Sequence, residues 1–247
     1  MDLRRRVVLR RATAPTALAI VVILAGALDA SAQTDPYQPG TTGYDVSYPQ
    51  CGSPSPTGSF AIVGVNGGRP FSYNQCLAAE YLAAPTTPAP SLYINAAYSG
   101  AYRKNVTSNC SAMSGQIAGT RTQEQAWAIG CSEAETSLGY AGRQGATVDV
   151  MWWIDVETAN SWSSSNLVLN RYAVQGAVSR LDQTGLPVGV YSSASMWHAI
   201  TGGNYTPTGI EADWETAGGQ CGSVGFTSSP VWLLQSVAGG ADSDLAC

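Results

Sequence analysis

The segment Val150 to Val156 constrains the fold of this chain more than any other. Met151, Trp152, Trp153 and Ile154 follow one another without a polar residue, so a strand built from them has no face that can meet water. Strands of this kind belong to parallel sheets covered on both sides. Phe60 to Val65 and Leu92 to Ala97 are two earlier apolar, β-rich runs, and Pro187 to Tyr191, Ile210 to Trp214 and Val231 to Gln235 are three later ones. Between them lie helical spacings. Phe71 to Ala84 carries Leu77, Tyr81 and Ala84, and Thr122 to Tyr140 carries Trp127, Ile129, Ala134 and Leu138. Ser163 to Asn166 supply caps for a helix with Leu167, Val174, Ala177, Val178 and Leu181 on one face, closed by Gly185, and Ser195 to Ile200 is a short helix. Helices alternate with strands first and strands dominate last. The reading is an α/β fold of parallel strands and crossover helices, arranged as an open doubly wound sheet or as a closed barrel. Asn66-Gly67-Gly68 makes neither a dinucleotide fingerprint nor a P-loop and reads as a tight turn.

The two ends of the chain differ in kind. Met1 to Arg11 holds five arginines and one aspartate; the apolar run Ala17 to Leu28 and then Ala30-Ser31-Ala32 follow. A basic start, an apolar middle of roughly a dozen residues and a small-x-small end mark a secretory signal peptide, too short in its apolar part to span a bilayer. Residues 1–32 are therefore expected to be removed after Ala32, residues 33–42 to be a flexible polar lead-in, and residues 43–247 to form one domain. No later stretch reaches the roughly 20 apolar residues of a membrane helix, so the remainder is expected to be secreted and free of the membrane.

That remainder has seven basic residues against fifteen acidic ones, which argues against nucleic acid as a partner, since phosphate binding draws on clustered Lys and Arg. All six cysteines (Cys51, Cys76, Cys110, Cys131, Cys221, Cys247) follow the signal, and an even count in an exported chain points to disulfides. Metal ligation is the poorer reading: there is no Cys-x-x-Cys and His198 is the only histidine. Pairing of sequential neighbours is expected, 51 with 76, 110 with 131 and 221 with 247. His198 lies in a helical pattern without an apposed nucleophile, so a serine-hydrolase triad has no support.

Asp155 and Glu157 stand two apart at the end of the strongest strand, so both side chains share one face, the interior if the strand belongs to a barrel. The C-terminal ends of barrel strands are where barrel enzymes hold their chemistry. Two carboxyl groups so close raise the cost of ionising both, and the one that keeps its proton can give it to a glycosidic oxygen. The bland alternative is one acid capping the next segment and the other in an ion pair; the shortage of bases weighs against it.

Four segments carry a resemblance to glycoside hydrolase family 25, the lysozyme-like muramidases, and to related bacterial barrel proteins. They are Gly43-Tyr44-Asp45-Val46-Ser47-Tyr48-Pro49-Gln50, Asp155-Val156-Glu157, Gly189-Val190-Tyr191-Ser192 with Trp197 after it, and Trp232 to Gln235 followed by Asp244-Leu245. The resemblance implies an irregular TIM-like (β/α) barrel, with regular β/α units first and mostly bare strands last. It implies cleavage of β-1,4 links in cell-wall peptidoglycan, with no metal or organic cofactor. Glu157 would be the general acid/base. Asp155 would orient the N-acetyl group or stabilise the oxocarbenium-like centre, and Asp45 and Asp244, neighbours on the first and last strands, would complete a floor of four carboxylates. Asp242 is a second candidate for the last aspartate and for substrate contact. Tyr93, Tyr191, Trp197, Trp214 and Trp232 are candidate sugar-stacking surfaces, although most large aromatics are core. Two departures stand out: Pro49 interrupts the opening motif, and the sixth strand reads Glu211-Ala212-Asp213-Trp214-Glu215 where the family has an aromatic strand. A wall-binding barrel without turnover and a glycosidase for another polysaccharide are the rival readings. Chitinase chemistry is disfavoured, because Trp153 occupies the position of the first acid in Asp-x-Asp-x-Glu.

Overall fold

The computed structural model describes residues 34–216, 218–238 and 241–247; the expected signal peptide lies outside the described residues. Eight strands close into a barrel in chain order. They are β1 (Thr42–Val46), β2 (Ala61–Gly64), β3 (Ser91–Asn95), β4 (Trp152–Asp155), β5 (Val188–Ser192), β6 (Ala212–Thr216), β7 (Val231–Ala238) and β8 (Ala241–Ala246). The first seven run parallel; β8 is antiparallel to both β7 and β1 and closes the ring between them. The closed barrel, not the open sheet, is the outcome. Its helices are α1 (Leu77–Ala83), α2 (Ser108–Ser114), α3 (Arg121–Arg143), α4 (Leu167–Asp182) and α5 (Ala194–Thr201). No helix among the described residues is long and apolar enough to cross a membrane.

β4 behaves as its composition demands. Trp152 and Ile154 face outward into a core shared with α3 and α4, and Trp153 faces inward with Tyr93, Tyr191, Trp214 and Leu233. A barrel this small is a packed core, and large inward side chains need small ones opposite. Gly189, register partner of Trp153, supplies the space: a Cβ there would sit 2.2 Å from the Trp153 ring. Gly43 does the same for Phe60, at 2.4 Å. Tyr37, in the segment expected to be a flexible lead-in, is buried; its hydroxyl meets Ser91 Oγ at 2.6 Å and accepts from Trp153 Nε1 at 2.9 Å. Residues 34–41 thus plug the barrel on the side where the strands begin.

The helices follow their local signals with two exceptions. α3 opens on a capping box, Thr120 with Gln123, and packs on α4 more extensively than any other pair of elements. The expected helix from Phe71 is helical only from Leu77, because Phe71 has φ of 58° and Asn74 Oδ1 accepts from the Cys76 N–H at 3.0 Å, a side-chain turn that competes with helix. α2 lacks the apolar periodicity that reveals a helix; it is capped by Thr107, whose Oγ1 accepts from the Cys110 N–H at 3.2 Å, and fastened to α3 by Cys110–Cys131. The other disulfides are Cys51–Cys76 and Cys221–Cys247, so all three neighbour pairings form. The bare end of the barrel is as expected, but the β1 to β2 connection also lacks an α-helix and holds only a 3-10 turn at Tyr48–Gln50. The acidic sixth strand is accommodated by alternation: Asp213 points away from the barrel interior, accepting from the Thr227 N–H (2.9 Å) and hydroxyl (2.7 Å), and Trp214 points in.

Candidate active site

The seven parallel strands end on the same rim, and the polar residues that end the apolar runs meet there. Asn95 on β3, Asp155 on β4 and Tyr191 on β5 are in register with one another. With Glu157, just past β4, and Asp45, Trp214, Gln235 and Asp242 they line an open cleft of about 430 Å³, which Tyr93, Tyr48 and Asn160 also border. Among the described residues no Lys, Arg or His lines it.

Donors, not cations, hold the carboxylates in place. Gln235 donates to Asp45 Oδ2 at 2.9 Å and accepts at Oε1 from the Tyr191 hydroxyl at 2.7 Å. Asp244 is fully buried below the cleft, accepts from Trp214 Nε1 at 2.9 Å and hydrogen-bonds to Asp45. Asp155 Oδ2 accepts from Asn95 Nδ2, and Asp155 Oδ1 has no partner among the described residues although it is buried. Asn95 is itself clamped. Its N–H donates to Asn66 Oδ1 (3.1 Å), and its carbonyl accepts from Asn66 Nδ2 (3.0 Å). Asn66 Nδ2 also donates to Glu133 Oε1 (3.0 Å), and Glu133 further accepts from Ser137 Oγ (3.0 Å) and the Phe71 N–H. A continuous buried polar chain thus runs from α3 to Asp155, and a buried network of this kind fixes geometry only when its members are satisfied.

Burial without cations pushes every acid of the cluster upward. For Asp155 burial acts first and the charges of Glu157 and Asp45 add to it, lifting it well above the carboxylate range. Glu157, only half-buried, is raised by burial and by Asp242. Asp45 is pushed up to about 7 by burial, against the opposing Gln235 hydrogen bond. Asp244 is raised well above 3.8 by burial and then by Asp45. A stability prediction follows from the linkage of protonation to folding. Asp45, Glu133 and Asp213 each sit at about 7 when folded against ordinary values of 3.8, 4.5 and 3.8. Between those limits the folded protein binds more protons than the unfolded chain. Their contribution is full below about pH 4 and is lost as pH rises through about 7. The melting temperature should be higher at pH 4.5 than at pH 8, and a flat or rising profile would contradict these three burial effects.

Eight of the ten candidate residues reach this site: Asp45, Tyr93, Asp155, Glu157, Tyr191, Trp214 and Asp242 in the cleft wall, and Asp244 beneath it. Trp197 and Trp232 do not. Trp197 is buried in α5, stacked on Tyr205 with ring centroids 5.9 Å apart and donating Nε1 to the Tyr205 carbonyl, because the apolar face of α5 turns to the outer core. Trp232, at the start of β7, is partly buried against the inner aromatic cluster and does not border the cleft. Asn95, Asn66, Glu133 and Gln235 were not foreseen as site residues. Asn95 and Gln235 each had a local signal, a polar residue following an apolar strand run, as Asp155 does.

The central part of the chain, residues 123–214, matches the family model described as lysozyme-like protein 1. The match covers less than half of the chain. The match begins in α3 and runs through β4, α4 and β5 to Trp214, so it holds Glu133, Asp155, Glu157 and Tyr191. In fold, this chain is similar to a muramidase from Trichobolus zukalii, at 15% identity and a TM-score of 0.51, over 83% of this chain and 93% of that one. A muramidase from Acremonium alcalophilum is similar at 12% identity and a TM-score of 0.50, over 83% and 93%. The modular autolysin LytC from Streptococcus pneumoniae, solved with a synthetic peptidoglycan ligand, is similar at 10% identity and a TM-score of 0.51, over 83% of this chain and 46% of that one. Likeness at these identities establishes the barrel fold. No curated protein matches this chain in sequence.

Proposed function

We propose that this protein is a glycoside hydrolase that cleaves β-1,4 links of cell-wall peptidoglycan, with Glu157 as general acid/base. The observation that carries the reading is the pair Asp155 and Glu157 on the cleft rim, with the two carboxyl groups held in unlike surroundings. Such divergence assigns roles. Glu157 is half-buried on the open side, makes no side-chain hydrogen bond among the described residues, and is raised by its neighbours, which suits a group that lends and recovers a proton. Asp155 is gripped on Oδ2 and leaves Oδ1 bare and buried, which suits a fixed contact to an acetamido group beside the reacting carbon. Substrate-assisted retention uses a pair in these two roles. Asp45 and Asp244 hold the floor, and Tyr93, Tyr191 and Trp214 offer ring faces to the sugars. The muramidases and the autolysin with the same fold support peptidoglycan as substrate, and the three disulfides support an exported protein acting outside the cell.

Incubating the oxidised protein with purified peptidoglycan should release new reducing ends. The rate should fall as pH rises past the coupled value of the pair, because the glycosidic oxygen needs a protonated donor. Binding to the wall without release would favour the non-catalytic barrel, and release from another polysaccharide alone would change the substrate.

A further inference from the structure

Beside the cleft, and sharing Tyr48 and Gly68 with its wall, lies a second hollow of about 560 Å³ formed by the β1 to β2 and β2 to α1 connections. The two differ in charge. Among the described residues the cleft is lined by carboxyl groups and no base, whereas the only charged residue of the bay is Arg69. Arg69 is exposed, and among the described residues its guanidinium forms no ion pair or hydrogen bond. The loop that presents it is nevertheless fixed. Ser72 Oγ donates to the Arg69 carbonyl (2.6 Å) and accepts from the Gly67 N–H (2.9 Å), the Phe71 N–H is held by Glu133, and Cys51–Cys76 staples the bay's edge. Gly68 has φ of 76°, and a Cβ on it would lie 2.7 Å from the Tyr48 ring, so only glycine lets Tyr48 stand at the passage between the two hollows.

We propose that this bay receives the peptide branch of the glycan and that Arg69 binds its carboxylate. The inference rests on the peptidoglycan reading above. In that polymer a peptide leaves every second sugar through a lactyl ether, so a sugar chain lying in the cleft sends its branches sideways. A branch bearing carboxylates is repelled by Asp45, Asp155, Glu157 and Asp242 and attracted by a guanidinium, whose planar fork suits a carboxylate. The half-exposed rings of Tyr48 and Tyr73 flank Arg69 as apolar walls for the small side chains of such a peptide.

The test compares binding of two soluble glycan chains of equal length, one bearing its peptides and one stripped of them by an amidase, by calorimetry on the oxidised protein. The peptide-bearing chain should bind more tightly by roughly two- to fivefold, the range an exposed charge contact allows, and the preference should shrink at high salt. Arg69→Gln should abolish the preference, and Arg69→Lys should restore part of it. Equal binding of both chains by the wild type, no binding of either, or a preference that survives in Arg69→Gln, would overturn the proposal. The preference does not depend on turnover. A protein that shows it and releases no reducing ends would therefore keep the bay and lose the hydrolase reading.

Discussion

Glu157→Gln is expected to lower reducing-end release by at least about a hundredfold, the range in which a positioned acid or base contributes, while leaving the fold intact. The substitution keeps shape and removes the proton. Because the Glu157 carboxyl makes no hydrogen bond among the described residues, the amide leaves no partner stranded. It also removes one of the charges that raise Asp155, so thermal stability near neutral pH should stay level or rise while activity disappears. A residue of structural importance would move both in the same direction. Full activity in Glu157→Gln, with circular dichroism matching the wild type, would move the acid elsewhere in the cleft.

The second large effect is on stability and lies far from the cleft. α3 and α4 cross at Gly130 and Gly176, where a Cβ on Gly130 would lie 1.8 Å from the Ala173 carbonyl oxygen and one on Gly176 2.0 Å from that of Trp127. Replacing a helical glycine by alanine normally stabilises by about 1 kcal/mol. Here the obstacle is backbone, which cannot rotate aside, so the helices have to separate and open the core that they share with Trp152 and Ile154. Overpacking of this kind costs about 3 kcal/mol or more, and the clash outweighs the propensity. With the net cost at about 2 kcal/mol, Gly130→Ala should lower the melting temperature by roughly 4–8 °C in a domain of this size. Gly142→Ala, in the same helix with nothing within 4 Å of the new Cβ, should leave it unchanged or raise it. A stable Gly130→Ala would mean that the crossing is looser than this geometry.

Local patterns revealed most of the barrel and its pair of acids, and the reasons for the failures are physical. The unbroken run through Trp152 and Ile154, the alternation of strand and helix, and the even cysteines all act over a few residues. Asp155 and Glu157 were legible because a strand end and a period of two place them without knowledge of any neighbour. β8 was missed as a strand because Ala241–Ala246 has no apolar run and is held by pairing on both edges. Tyr37 sits in a segment whose composition reads as a tail, and its partners Ser91 and Trp153 are 54 and 116 positions away. Asn66 read as part of a turn, although its partners Asn95 and Glu133 are 29 and 67 positions away. Side-chain networks of that span leave no periodic trace. Trp197 followed a matching segment in the resemblance but is turned outward by the amphipathic helix that bears it.

The reversed last strand sets the order in which this molecule becomes complete. While the chain is being made from its N-terminus, β1 to β7 are available first, as a parallel sheet with β1 and β7 open at its two edges and with Asp45 lacking its neighbour Asp244. Residues 241–246 then pair with both edges and bring Asp242 to the rim and Asp244 beneath it in the same act. Closure of the wall and completion of the acid floor are a single event. A nascent or truncated chain that stops short of it has neither a sealed core nor a whole site, so the cleft cannot work before the last strand is seated.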